Sequence, residues 1–355
     1  MGRLKMNTNY PNSFSITADS TPFTIAEAGL NHNGEIKKAL EMIKIAKKAG
    51  VDAIKFQTFK ANEIVVDESL TFTYKSQGKT ITESQMELFK RCELDRNDFF
   101  EIKKICDEEK ILFLSTPQNA SDLELLLEIG ITAIKIGSDD FTNIPLLQTY
   151  SKTGLPLIMS CGMANLDEIK QTMKYVSDTN DNQIILMLTT SQYPTTFENV
   201  NLLKFKTLSK NFPEVILGYS DHTQGVLASS LAVAFGAKVF EKHFTLDKNL
   251  PGPDQWFAED ENGLKLWSDS IKTSHKLLGS SEVKPTEYEN TMKILARRSI
   301  VALTDIENDE IFDEQNIGFR RPGNGLPPIM IKNIKGKKSS RKILKGELVM
   351  EGDFL

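Results

Sequence analysis

Cysteine is scarce in this chain: three residues, Cys92, Cys106 and Cys161, among 355. Their spacing is neither paired nor that of a thiolate metal site, which argues against a disulfide framework and fits a reducing cytoplasm. Long apolar runs are also missing. The longest are strand-sized, far below the roughly 20 residues that cross a bilayer, so no membrane association is expected. Neither charge sign is in excess, with 43 basic and 48 acidic residues giving a formal charge of −5. That balance argues against a general nucleic-acid binder, while leaving room for one local basic pocket. Residues 1–22 carry Asn, Ser and Thr with no apolar stretch, which reads as a polar leader and not as a secretory signal. Histidine is nearly as rare as cysteine, at four residues.

What is present is a regular alternation. Hydrophobic residues make up 40% of the chain, enough for a sizeable core. From residue 23 to about residue 278, short β-rich runs alternate with helix-length amphipathic stretches. The candidate strands are TIAEAG, DAIKFQT, ILFLST, AIKIGS, PLIMSCG, IILMLTT, VILGYS and KVFEKHFTL. In EIKKALEMIKIAKKAG, Ala39, Met42, Ile43 and Ala46 make one apolar stripe that ends at Gly50. Eight βα units in series predict an α/β fold, a (β/α)8 TIM barrel, because each parallel strand needs a helical crossover. The rival is an open doubly wound sheet, which usually starts with a glycine-rich phosphate loop; none follows the first strand.

The second βα connection, from Ala61 to Ser84, is long and carries Phe72 and Tyr74, so it reads as a lid or as a surface excursion. Near GSSEVKPTE the pattern changes to short β segments, turns and a Pro/Gly-rich loop. The division that follows is the leader, a barrel domain at 23–280, a linker at 281–290 and a small β-rich domain at 291–355. A unit of that size is near the lower limit for independent folding and is expected to lean on another surface.

Strand alternation sorts the polar residues. In AIKFQ, Ile54 and Phe56 share one face while Lys55 and Gln57 share the other, and Ile134 and Ile136 likewise oppose Lys135. If the apolar faces pack under the helices, both lysines point into the barrel, where an unpaired ammonium costs several kcal/mol. Two such lysines suggest a bound anion, phosphate plus carboxylate; the alternative is pairing with carboxylates of neighbouring strands. Glu27, in the first strand, could orient substrate, take a proton or pair with a lysine. Thr116, Ser138, Ser160, Ser191 and Ser220 fall at successive strand ends, where small hydroxyls can line an anion pocket or simply cap loops.

His222, in GYSDHTQG, and His243, in FEKHFTL, follow adjacent candidate strands, whose ends open on the same rim. Two imidazoles completed by water and substrate oxygen suit a divalent Lewis acid, Mn2+ first, with Mg2+ or Co2+ as alternatives. The competing reading is a pair of hydrogen-bonded rim histidines. His32 lies in the first loop within reach of a substrate, His275 sits on a helix beyond the barrel, and Cys161 reads as a small buried thiol.

These segments resemble, in order, the bacterial sialic acid synthases, which build nonulosonic acids from phosphoenolpyruvate. The matching pieces are IAEAGLNHNG, AIKFQTF, LSTP, AIKIGS, SCGM, TSQYPTTFENVNL, GYSDHTQG, EKHFTLDKNLPGPD and RRPGNG, with KILKGELVMEGDFL at the end. The resemblance implies a barrel fused to a small antifreeze-like (SAF) domain, in a homodimer where that domain covers the partner's barrel mouth. It implies that Lys55, Thr116, Lys135, Ser138, Ser160 and Ser220 hold phosphoenolpyruvate, with Ser191 beside them. Gln57, Tyr193, Asp254 and Arg321 then hold the open-chain amino sugar, His222 and His243 the metal, and Glu27 orients or activates a reacting group. The product expected is N-acetylneuraminate, with N,N'-diacetyllegionaminate from a 2,4-diacetamido-trideoxy hexose as the alternative.

Three positions depart from the family's pattern. GSDD puts Asp140, expected to be catalytic with Glu27, one methylene short of the family's usual glutamate, Leu188-Thr189 replaces a His–Cys pair, and Gln255 stands for histidine. Two rival functions follow from the residues themselves. One is an aldolase or another phosphoenolpyruvate-condensing barrel, with Lys135 as a Schiff-base amine in the aldolase case. The other is a sugar-binding scaffold on a decayed barrel, against which the inward charges argue.

Overall fold

The computed structural model describes residues 14–179 and 183–355. The chain divides into two compact units, Met1–Gly279 and Ser280–Leu355. Among its described residues the first contains ten strands: β1 Phe23–Gly29, β2 Ala53–Thr58, β3 Thr71–Ser76, β4 Lys79–Ser84, β5 Leu112–Pro117, β6 Ile134–Ile136, β7 Leu157–Ser160, β8 Ile184–Leu188, β9 Ile216–Asp221 and β10 Val239–His243. Eight of them form one parallel sheet in the order β5-β2-β1-β10-β9-β8-β7-β6, which nearly closes between β5 and β6. Helices follow the strands, so the architecture is the (β/α)8 barrel expected from the alternation.

Amphipathic segments build the outer layer. In the helix Ile36–Lys48, Ala39, Met42, Ile43 and Ala46 are all fully buried. They pack against outward strand residues such as Ile54, Phe56 and Ile134 in the largest core cluster. The barrel's interior is layered. Its lower layer is apolar, with Ile25, Ala53, Leu114, Ala133, Ile158 and Val239 in one cluster. Two residues further along these strands the inward positions turn polar, and that step defines the site.

The segment read as a polar leader needs a correction. Its first thirteen residues lie outside the described ones, but Phe14 and Ile16 are buried in the barrel's lower interior cluster. The Ile16 amide donates to Gln183 Oε1 at 3.0 Å, and the Phe14 ring meets Phe23 edge-on at 5.2 Å. Two apolar residues spaced by two are enough to seal the end of the bore, although they make no apolar run.

The long second connection is a β3–β4 hairpin followed by the helix Gln85–Cys92. Gln77 and Gly78, at its turn, both have positive φ (51° and 75°), the conformation of tight two-residue hairpin turns.

In the second unit, β11 Ser299–Ala302 and β12 Ile317–Arg320 pair antiparallel over a separate core that includes Ile300, Phe312, Ile334 and Val349. The last four residues of the expected linker are helical: Thr286 caps a helix Glu287–Ala296 through a capping box with Glu289. Among the described residues, no helix is long and apolar enough to cross a membrane.

Candidate active site

Above the apolar layer, inward residues of successive strands converge. Glu27 pairs in register with Lys55 on one side and His243 on the other. Lys55 Nζ lies 2.7 Å from Glu27 Oε2 and donates to Thr116 Oγ1 at 3.3 Å. Lys135 Nζ donates to Ser160 Oγ at 2.8 Å and to the Ile136 carbonyl at 3.1 Å. Between the lysines stands Glu241, 3.8 Å from Lys55 and 3.7 Å from Lys135. Ser220 Oγ donates to Glu241 Oε1 at 3.2 Å, and Gln57 Nε2 to Glu27 Oε1 at 3.1 Å. The lysines do point inward, and they pair with carboxylates from other strands, the alternative to a bound anion.

The electrostatics divide the two carboxyls. Burial pushes Glu27 up from its usual range, and the attraction of Lys55 does not offset it. Burial opposes ionisation of Glu241 too, but Lys135 and Lys55 together outweigh it and hold that carboxyl low. Burial likewise lowers Lys135, whereas at Lys55 it is outweighed by Glu241 and Glu27. Neighbouring carboxyls displaced in opposite directions suit different roles in proton transfer.

The two histidines stand at the rim with ring centroids 5.5 Å apart. His222 Nδ1 donates to the Thr190 carbonyl at 2.8 Å, which leaves its Nε2 with the free lone pair. Tyr193 lies against the His222 ring at 4.2 Å. His243 Nδ1 is buried without a hydrogen-bond partner, and Asp254 Oδ2 is 3.6 Å away. Burial holds His222 at about 4 and His243 well below its usual value, so both imidazoles are neutral near pH 7. Neutral nitrogens fit a divalent cation. Among the described residues no three His, Cys, Asp or Glu side chains group tightly enough to hold one, so such an ion would depend on water and substrate oxygens for its other positions.

These side chains line one cavity of about 1040 Å³. Its wall holds the expected Glu27, Lys55, Lys135, Thr116, Gln57 and Asp254. The strand-end hydroxyls of Ser138, Ser160, Ser191 and Ser220 join them, with Tyr193 and both rim histidines. Ser191 Oγ and Glu241 Oε2, like His243 Nδ1, are buried with no hydrogen-bond partner, a pattern typical of a ligand site. The β3–β4 hairpin crosses this mouth: Phe72, Tyr74 and Lys75 line the cavity, and Gln77 Nε2 donates to the Asn249 carbonyl at 2.9 Å.

Other expectations are corrected. Asp140 does not line the cavity; it accepts from Asn143 Nδ2 at 2.9 Å, and its neighbour Asp139 faces the cavity instead. His32 is buried away from it, with Nδ1 accepting the Gly34 amide at 3.0 Å. Of the departures from the family's pattern, Thr189 lines the cavity, while Gln255 is buried outside it, donating to the Asn31 carbonyl at 2.9 Å. Leu188 belongs to the outer core. Cys161 is a buried thiol that donates to the Met187 carbonyl. Arg321 lies exposed in the second unit, just after β12.

Glu241, Asp139 and Gly162 are among the residues the sequence reading missed. Glu241 was legible, since it shares the inward face of β10 with His243 two residues later. Gly162 was not: a Cβ there would sit 2.6 Å from both Ser138 Oγ and Ser191 Oγ, a close approach made by the fold.

Comparison with known proteins shows the family and agrees with the fold. The NeuB family model matches residues 42–283, and that of the SAF domain matches 297–355. The N,N'-diacetyllegionaminic acid synthase of Legionella pneumophila is 37% identical over 98% of this chain and 97% of its own. The human N-acetylneuraminate-9-phosphate synthase is 34% identical over 93% of this chain and 91% of its own. Among solved structures, the N-acetylneuraminic acid synthetase of Leptospira borgpetersenii, in complex with citrate, superposes with a TM-score of 0.70 at 33% identity, covering 77% of this chain and 90% of that one.

Proposed function

The chain belongs to the NeuB family, and on that premise we propose that it condenses phosphoenolpyruvate with an open-chain N-acetylated mannosamine-type sugar, forming a nonulosonic acid and phosphate. The observation that carries this reading is the pair of inward lysines beneath two neutral rim imidazoles in one cavity. Lys55 and Lys135 hold the phosphate and carboxylate of phosphoenolpyruvate, with Thr116, Ser138, Ser160, Ser191 and Ser220 donating around them. Gln57, Tyr193 and Asp254 hold the sugar with its aldehyde towards the rim. C3 of phosphoenolpyruvate attacks the aldehyde carbon, water adds at C2, and the tetrahedral adduct expels phosphate by C–O cleavage. Glu27, the carboxyl pushed up by burial, is the group suited to hold or move a proton in that sequence. Ammonium groups fixed where negative charge gathers supply electrostatic stabilisation without reorganisation.

His222 and His243 would hold the divalent cation, Mn2+ in this reading, which would supply polarisation of the sugar aldehyde. Arg321 of the partner subunit completes the sugar site across a homodimer. N-Acetylneuraminate is the product proposed first; the second reading, N,N'-diacetyllegionaminate, is favoured by the Legionella relative, which matches nearly the whole chain.

The test is phosphate release from phosphoenolpyruvate with Mn2+, comparing N-acetylmannosamine with the 2,4-diacetamido-trideoxy hexose, with and without chelator. Chelator-sensitive release with one sugar supports the reaction and identifies the product class. No release with either overturns the proposal, and full activity of His222→Ala without added metal overturns the ligand assignment.

A further inference from the structure

Behind the two histidines lies a second set of buried charges that the proposed chemistry does not use. Asp221 ends β9 and Lys242 is the penultimate residue of β10; the two are register partners in the parallel ladder. Alternation turns both away from the bore, into the layer between barrel and helices. One pair further back, the same outward positions hold Tyr219 and Phe240. The side chains are 0% and 2% exposed, and Lys242 Nζ lies 3.1 Å from Asp221 Oδ2.

The pair is saturated with hydrogen bonds. Asp221 Oδ1 accepts the Thr223 amide at 2.9 Å and its hydroxyl at 2.8 Å. Asp221 Oδ2 accepts Ser229 Oγ at 2.6 Å, and Trp267 Nε1 donates to that hydroxyl oxygen at 2.8 Å. Lys242 Nζ also donates to the Thr223 carbonyl. One network therefore ties together two strand ends, the turn after β9, the helix Leu227–Ala234 and the helix Glu261–Leu278.

Burying two charges in an apolar layer costs several kcal/mol of desolvation per ion, and a well-packed apolar pair is often at least as stable. What an apolar pair lacks is direction. Asp221 is bonded to His222 and Lys242 to His243, so rotation of either strand end would swing an imidazole away from its neighbour. We propose that the Asp221–Lys242 network is a positioning device that sets the separation and facing of His222 and His243 for cation binding. This rests on the reading of those histidines as metal ligands.

The test titrates Mn2+ into chelator-treated full-length protein by calorimetry, alongside thermal unfolding. Lys242→Met is expected to weaken Mn2+ binding about 10- to 100-fold, the range typical of partners behind metal ligands. The Asp221→Leu/Lys242→Met double variant removes both charges, so it should regain stability but not affinity. A merely structural role would return both together. Ser229→Ala, a smaller change, covers failure of the others to fold and is expected to weaken binding by a few-fold. Leu264→Ala, on the same helix as Trp267 but outside the network, should lower the unfolding temperature and leave affinity unchanged. Wild-type affinity in a folded double variant, or in Ser229→Ala if the double variant does not fold, overturns this inference alone. Absence of Mn2+ binding by the wild type overturns the metal reading and this inference with it.

Discussion

Glu241 and Lys135 face each other at 3.7 Å inside the barrel, although they belong to β10 and β6, which are not neighbours in the sheet. The contact crosses the bore, and the same carboxylate reaches Lys55 at 3.8 Å. Glu241 is thus the counter-charge that keeps two ammonium groups tolerable before an anion arrives. Glu241→Gln is expected to strengthen phosphoenolpyruvate binding a few-fold, by removing a like charge. Lys135→Met should act in the opposite sense on binding, raising KM for phosphoenolpyruvate at least about ten-fold. Steady-state kinetics of the two variants checks both signs, and a rise in KM for Glu241→Gln would refute the first.

Gly162 offers a test that removes no charged group. A methyl at this position would press on Ser138 Oγ and Ser191 Oγ at 2.6 Å. Gly162→Ala should therefore raise KM for phosphoenolpyruvate about ten-fold, roughly 1.4 kcal/mol of lost binding, without a comparable fall in unfolding temperature. An unchanged KM would show that the two hydroxyls do not touch the substrate.

The buried His32 makes stability depend on pH. Burial holds its imidazole at about 4, below the usual 6.5, so between those values the unfolded chain takes up a proton that the folded one refuses. Stability from this group is complete above pH 6.5 and is lost as pH falls towards 4, by about 3 kcal/mol in all. His32→Asn keeps an acceptor for the Gly34 amide and has nothing to titrate. Denaturant unfolding at pH 7 and pH 5 should show a smaller loss for the variant, by about 2 kcal/mol. Equal losses would place the titration elsewhere.

Phe14 seals the lower end of the bore against Phe23. Phe14→Ala is expected to cost about 3 kcal/mol of stability, the usual range for a buried aromatic. KM for phosphoenolpyruvate should stay within two-fold, because the apolar layer separates this seal from the polar one. A variant as stable as wild type in chemical denaturation would show that the seal is dispensable.

Much of this protein was determined locally, and that part was legible in the sequence. Helix stripes such as Ala39, Met42, Ile43 and Ala46 follow from 3.6-residue periodicity, and inward lysines from the two-residue repeat of a strand. Those periods depend on a few covalent neighbours, so the sequence sufficed for the barrel, for the inward polar positions at its strand ends and for the two rim histidines. Helix Glu287–Ala296 shows where that reading fell short: its capping box, Thr286 with Glu289, was in plain sight, but it lay inside an expected linker.

Other features needed the closed structure. Asp139 and not Asp140 faces the cavity, because the turn after β6 decides the direction of each side chain. Glu241 could be placed on an inward face from sequence, but its position between two lysines depends on strand register and closure of the sheet. The saturation of Asp221 by Thr223 and Ser229, and the crowding at Gly162, arise from segments joined only by packing. The sequence by itself determined which residues share a face. The tertiary structure decided which faces meet, because contacts across the bore join residues that no local periodicity relates.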